Sequence, residues 1–396
     1  MTVDDEARIL DVRLFRLEAI GPPREWEGRS VRPLDAYARH LASTEDAWIL
    51  DRRLSKLYVE IETEAGSGLY GPVDTRQAFL IDTELRPFLV GLDALAIERI
   101  HDEMLRLQRH GRAGIFVSAI SAVDNALWDL RGKLAGRPVY RLLGGPTRAA
   151  IPAYASMLGF STEPDRAASA AVEKVQEGYG AQKWFFRHGP SEGAAGLRRN
   201  LAMASAVREA VGDGYRLMFD AFMGWDASYA VDMLRALELI DPYWLEEPVP
   251  PERVGVFRRL AAASRIRLAT GEHAHTRWQV RELLDSDAIS FLQVDPDWGG
   301  GITEQRHICS LASAFDIPVI AHGHTVSPAL HVAASQPSQT VPMVEYLVRV
   351  QDWTQFFQRV VRRPVDGAFP LPQEPGLGID IDPAKVERRE DVKFAA

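Results

Sequence analysis

Three short segments decide the reading of this chain: YRLMFDAF (215–222), YWLEEPVP (243–250) and RLATGEHA (267–274). Each is an apolar or β-prone run that ends in an acidic residue and passes into helix-forming sequence. Asp220, Glu246 and Glu272 follow one another at intervals of 26 and 26 residues. A strand, a crossover helix and two loops need about that length, so the spacing predicts parallel strands joined by helices. Three carboxylates then project from the same end of three successive strands, an arrangement that makes a metal site.

Outward from this stretch the same alternation runs from 151 to 347. The strand-like runs are IPAYAS (151–156), AQKWFF (181–186), LMFDA (217–221), YWLEEP (243–248), LATGE (268–272), FLQVD (291–295), PVIAHG (318–323) and VEYL (344–347). Helical patterns such as GLRRNLAMASAVREAVG and SYAVDMLRALELI lie between them. Eight parallel strands with helical crossovers predict an α/β fold built on a (β/α)8-type barrel. Upstream the pattern changes. ARILDVRLFRLEAI (7–20) alternates as a strand, SKLYVEIETEAGSGLYGP (55–72) reads as a hairpin turning at Gly66–Gly68, and 75–112 has helical spacing. The expected division is an N-terminal α+β capping domain over 1–122, completed by the Pro- and Gly-rich 363–396, and a barrel domain over 123–362. The loop GPPREWEGRS (21–30) reads equally as a lid or as an ordinary surface connection.

Composition excludes several classes. A net charge of −9 without a basic tract gives no electrostatic case for nucleic acid or a membrane surface as partner. Cys309 is the single cysteine, so no intramolecular disulfide and no cysteine-rich metal site is expected. The N-terminus MTVDDEARIL lacks a secretory apolar core, and no apolar run reaches membrane-spanning length. A soluble, cytoplasmic protein is expected, and barrels of this type commonly form homo-oligomers.

In such barrels the working groups sit at the C-terminal ends of the strands. Those ends supply Lys183, Asp220, Glu246, Glu272, Asp295, His322 and Glu345. Buried charges are costly without a purpose, so this concentration favours function over structure. The all-oxygen set Asp220, Glu246 and Glu272 selects Mg2+, or Mn2+, over Zn2+. Glu247, next along the strand from Glu246, is expected to point the other way and to bond behind the site. Asp295 and His322, 27 residues apart, form an Asp–His pair on adjacent strands. The carboxylate fixes the tautomer and makes the free imidazole nitrogen a general base, with His324 the rival for that role. A base beside a divalent cation suits proton abstraction next to a carboxylate. Asp124 and Asp129 lie in helical sequence and read as structural or capping acids.

AISAVDNALWDLRGKLAGRPVYRLLG (119–144) and the ordered strand-end series resemble the mandelate racemase subgroup of the enolase superfamily over nearly the whole chain. The resemblance implies that Asp220, Glu246 and Glu272 bind Mg2+, that His322 with Asp295 is the base, and that Glu345 hydrogen-bonds or protonates at the substrate end. Within the subgroup the chain is most similar to L-rhamnonate dehydratases, through HGPSEGAAGLRRNLAMASAVRE (188–209), GEHAHTRWQVREL (271–283) and VDPDWGGGIT (294–303). That implies a sugar acid substrate, with His273 as a substrate contact. Cap contacts are harder to match, with Arg52 and Arg53 as candidates. Racemases of the subgroup carry Lys-x-Lys on the second strand, whereas this chain has Lys183-Trp184-Phe185. Phe185 accepts no proton, so one face has a clear base and β-elimination is favoured over racemisation. Lys183 is expected to act electrostatically, and Arg187, Trp225, His275, Asp297 and Trp298 to read sugar hydroxyls. An epimerase on the same scaffold, or a non-catalytic barrel used for binding, are the other readings.

Overall fold

The computed structural model describes residues 5–23, 25–37, 40, 48–49 and 52–394. Alternating burial along Asp11–Ile20 (β1) and Arg53–Thr63 (β2) places one face of each strand inward, and Phe15 stacks on Tyr58 at 5.6 Å across that pair. Gly66–Val73 (β3) continues antiparallel from β2. The turn of this hairpin is therefore Glu64–Ala65. Gly66 and Gly68, expected to form it, lie inside the strand. A Cβ at Gly68 would run into the Ala126 carbonyl, so the glycine is needed for the close approach of a helix rather than for a bend.

That helix, Ile115–Leu134 (α2, after Ile97–Leu107, α1), is buried along nearly its whole length. A helix buried on every side has no solvent face and must find partners all round. One side covers β3, and the other packs on a barrel helix, Gly301–Ser313. The division expected at 122/123 falls inside this single element.

The barrel begins with Ala150–Ser156 (β4) and continues through Ala181–Phe185 (β5), Arg216–Asp220 (β6), Trp244–Glu246 (β7), Leu268–Thr270 (β8) and Phe291–Leu292 (β9), each parallel to its predecessor. Val344–Leu347 (β10) pairs in parallel with β4 and closes the ring. The segment expected as the seventh strand, 318–323, is reduced to a bridge between Leu292 and Val319. Pro318 has no N–H to give the ladder; its carbonyl accepts the Leu292 N–H at 3.0 Å and the Ile320 N–H returns to Leu292 at 2.8 Å. Tyr154, Ala181, Met218, Trp244, Ala269, Phe291 and Ile320, one from each of the first seven segments, with Met343 just before the eighth, form the apolar plug inside the barrel.

The C-terminal stretch, expected to complete the cap, touches both units. Ala368–Pro370 (β11) pairs with the start of β4, and Arg388–Asp391 (β12) adds an outer strand to β1. The loop around Trp26 is seated on the barrel mouth: the Glu27 and Val31 amides donate to Gly159 and Phe186. Among the described residues no helix is long and apolar enough to cross a membrane.

Candidate active site

Asp220 and Glu246 are the last residues of β6 and β7, and Lys183 and Glu345 lie within β5 and β10. Glu272, Asp295 and His322 come later than expected, in the loops just beyond β8, β9 and the bridge at 319. Lys183 Nζ stands 2.7 Å from Glu246, 3.0 Å from Glu345 and 3.3 Å from Asp220. Burial works against its charge, but these carboxylates outweigh that and hold the ammonium well above its ordinary pKa. Glu345 is pulled low: burial opposes its ionisation, but Lys183 and His322 prevail.

Glu246 is held on both oxygens. Oε1 faces Lys183, while Oε2 accepts from Trp244 Nε1 at 3.1 Å and Gln293 Nε2 at 2.5 Å. Gln293 escaped the sequence reading, although a polar residue two before Asp295 in an apolar strand, and so on the same face, was a signal. Asp220, Glu246 and Glu272 are all pushed above the usual carboxylate range, first by burial and then by other acids, Glu272 for Asp220, Asp220 for Glu246 and Glu247 for Glu272.

Glu247 does not point away. The strand stops at Glu246 and Glu247 turns off it with φ 36°, so strict alternation no longer applies. Its carboxylate accepts from Thr270 Oγ1 at 2.9 Å and meets His273 Nδ1 at 3.0 Å. Among the described residues, Glu247, Glu272 and His273 are the trio whose donor atoms all lie within 4.8 Å, rather than Asp220, Glu246 and Glu272. The Glu247–His273 hydrogen bond accounts for that closeness, and a ring nitrogen giving its proton to Glu247 has no lone pair for a metal. The oxygen set Asp220, Glu246 and Glu272 has the chemistry of a Mg2+ site: hard donors, the first two buried and the third at the chamber edge, with more negative charge than Lys183 offsets.

His322 Nδ1 is 3.2 Å from Asp295 Oδ2, and its Nε2 is 3.5 Å from Glu272. Burial opposes the imidazolium, but Glu272, the Asp295 hydrogen bond and Glu345 lift its pKa to about 10. Trp298 stacks on the ring at 4.8 Å and 28°. His324 lies 5.0 Å from the same indole and, chiefly through burial, is lowered to about 4. Its imidazole faces Asp297, at 3.8 Å, rather than Asp295.

Beside this centre a chamber of about 610 Å3 opens between the cap sheet and the barrel mouth, bounded by Glu272, His273, His275 and Trp298 below. The cap wall supplies Arg16, Lys56 and Arg76, while Arg52 and Arg53, the expected cap candidates, are absent from it. Arg52 donates instead to the Gly21 carbonyl at 3.0 Å. Arg187 is half-buried in the loop after β5, outside the chamber lining. Two residues expected to read hydroxyls do not face it: Trp225 is buried with Nε1 on the His188 carbonyl, and Asp297 is buried among polar partners.

The acids of α2 have structural work. Asp124 accepts from the Thr303 amide, and Asn125 ties the Pro296 carbonyl to the Ile302 amide, so the loop bearing Asp295 to Trp298 is anchored to this helix. Asp129 receives the amides of Leu69 and Leu377.

Residues 55–144 match the family described as mandelate racemase / muconate lactonizing enzyme, N-terminal domain, and residues 166–385 that described as enolase C-terminal domain-like. The chain belongs to the mandelate racemase subgroup of the enolase superfamily. It is 34% identical over 369 residues to the L-rhamnonate dehydratase of Saccharopolyspora erythraea, with 90% of each chain covered. Among solved structures of this superfamily it resembles the rhamnonate dehydratase of Gibberella zeae complexed with Mg, at 27% identity and a TM-score of 0.83, covering 97% of this chain and 96% of that one. A racemase from Streptomyces coelicolor with bound magnesium is 28% identical, with a TM-score of 0.78 over 96% of this chain and 98% of that one. This superfamily member thus shares its fold with both dehydratases and racemases, and its own residues must separate the two.

Proposed function

We propose that the chain is a Mg2+-dependent hydro-lyase that dehydrates a sugar acid, L-rhamnonate or a close relative, to a 2-keto-3-deoxy acid. The observation that carries this reading is the asymmetry of the centre. His322 with Asp295 offers a base on one side, whereas Phe185, buried beside Lys183, stands where a second base would be needed for racemisation. The 34% identical relative supports the substrate class.

In this reading Asp220, Glu246 and Glu272 hold the cation, which when bound offsets the charge that develops on the substrate carboxylate as C2 loses its proton. Glu272 is also the chief charge favouring the imidazolium of His322, and a cation held by Glu272 would offset that charge and favour the neutral ring. Nε2 removes the C2 proton while Asp295 holds Nδ1. The resulting imidazolium then gives its proton to the departing C3 hydroxyl. Glu345 is the weaker candidate for that acid, because one oxygen takes the Gly323 amide at 2.8 Å and the other faces Lys183. Lys183 holds Glu345 ionised and offsets part of the burial that raises Asp220 and Glu246, and His273 and Trp298 contact the sugar chain from the chamber floor.

The test is a screen of mono- and diacid sugars with Mg2+ for ketoacid release, run in D2O. Ketoacid formation is expected. Deuterium incorporation with inversion at C2 and no ketoacid overturns the reading in favour of an epimerase, and no reaction or exchange with any acid favours a binding barrel.

A further inference from the structure

Tyr70 sits on β3 of the cap sheet, 2% exposed, and its hydroxyl donates across to Asp297 Oδ1 at 2.5 Å. Asp297, itself 2% exposed, belongs to the loop beyond β9. Its other oxygen accepts the Thr325 amide at 2.7 Å, and the Thr325 hydroxyl bonds Oδ1 beside Tyr70. Thr325 follows His322 by three residues. Through its main chain Asp297 also donates to Asp295 Oδ1 at 2.7 Å, as does Trp298 at 2.8 Å. Asp297 thus joins the cap and the loop carrying His322 through its carboxylate and, through its own main-chain N–H, the partner of that imidazole. Trp298, its neighbour, stacks on the ring.

We propose that Tyr70 is a positioning residue for the reaction: through Asp297 it pins the cap sheet to both loops that hold the Asp295–His322 pair, so that the imidazole stands correctly only while the cap is seated. This rests on the reading of His322 as the base. A plain packing role does not need the pattern seen here, in which the donors converging on one buried carboxylate come from the cap and from the histidine's own loop. A bond to a carboxylate is also directional and strong enough to transmit a displacement that apolar packing absorbs. The substrate chamber lies at the same cap–barrel junction, so the strut links closure of that chamber to the geometry of the base.

The test compares Tyr70→Phe, which keeps the ring, with the wild type in Mg2+. Hydrogen exchange should quicken at the amides of Asp297, Trp298 and Thr325 and stay unchanged in β6. The kcat should fall about tenfold with KM within about twofold, the scale of one hydrogen bond to a charged group. In an Asp297→Ala background, which removes the acceptor, the same change should have no further effect on kcat. Unchanged exchange at those amides overturns the proposal, and so does faster exchange with undiminished kcat, which marks a structural bond only. If the wild type turns over no acid, the dehydratase reading falls separately. The strut is then judged on carbethoxylation of His322 followed by mass spectrometry, where equal rates in wild type and Tyr70→Phe overturn it.

Discussion

His322 Nδ1 meets one oxygen of Asp295 at 3.2 Å, while the other oxygen is fixed by the amides of Asp297 and Trp298. The carboxylate cannot swing to find another partner, so it sets both the tautomer and the direction of the imidazole. Asp295→Asn keeps the shape but presents an amide whose NH2 or carbonyl must face Nδ1. Its kcat for ketoacid release should drop by roughly 10²–10⁴, the span of general-base catalysis, with Tm nearly unchanged. A variant within twofold of wild type would remove the pair from the reaction.

Cation binding should be visible without any substrate. At a hundred times Kd a ligand that binds only the folded state stabilises by about 2.7 kcal/mol, so Mg2+ added to EDTA-treated protein should raise Tm by several degrees. Glu246→Gln should abolish most of that rise. Equal Mg2+ shifts in both proteins would displace Glu246 from the ligand set.

Lys183→Met removes the ammonium that Asp220, Glu246 and Glu345 share. Stripping one partner from a buried charge cluster costs about 3–5 kcal/mol, and in EDTA the loss should deepen as pH rises. The sign follows from Asp220 and Glu246, whose folded pKa values lie above the unfolded ones, so stability present at low pH is lost as these groups ionise. Urea midpoints from pH 5 to 9 read this, and a pH-independent difference contradicts it.

His331 is far from this chemistry, buried against Tyr140 with Nδ1 accepting the Tyr140 amide. Burial, then Arg362, pushes its pKa down to about 3. The unfolded chain takes up a proton near pH 6.5 and the folded chain does not, so stability falls from about pH 6.5 toward 3, by at most about 4–5 kcal/mol. His331→Gln, which retains an acceptor, should flatten that part of the urea-midpoint profile. The same slope in both proteins would clear His331 of responsibility.

The barrel and its acids were legible because a strand–helix–strand repeat has a fixed length, which the intervals of 26, 26 and 27 residues report directly. The Asp295–His322 pairing was readable for the same reason, since adjacent parallel strands bring their ends together. What could not be read depends on where a strand stops. Glu247 was expected to face away, but its φ of 36° breaks the alternation on which that rested. Asp297 was expected to read hydroxyls, but its partner Tyr70 is 227 residues distant and no local pattern announces it. Arg16, Lys56 and Arg76 meet the chamber only through the docking of the cap, a relationship set by packing rather than by spacing.

The helix Ile115–Leu134 has a practical consequence for recombination between relatives. It carries the donors and acceptors that fasten β3 on one side and the loop after β9 on the other, so a chimaera joined at 122/123 would pair half a helix with a foreign half. Crossovers placed before Gly114 or after Gly145 leave the element whole, and only such hybrids should fold with the specificity of one parent's cap and the chemistry of the other's barrel.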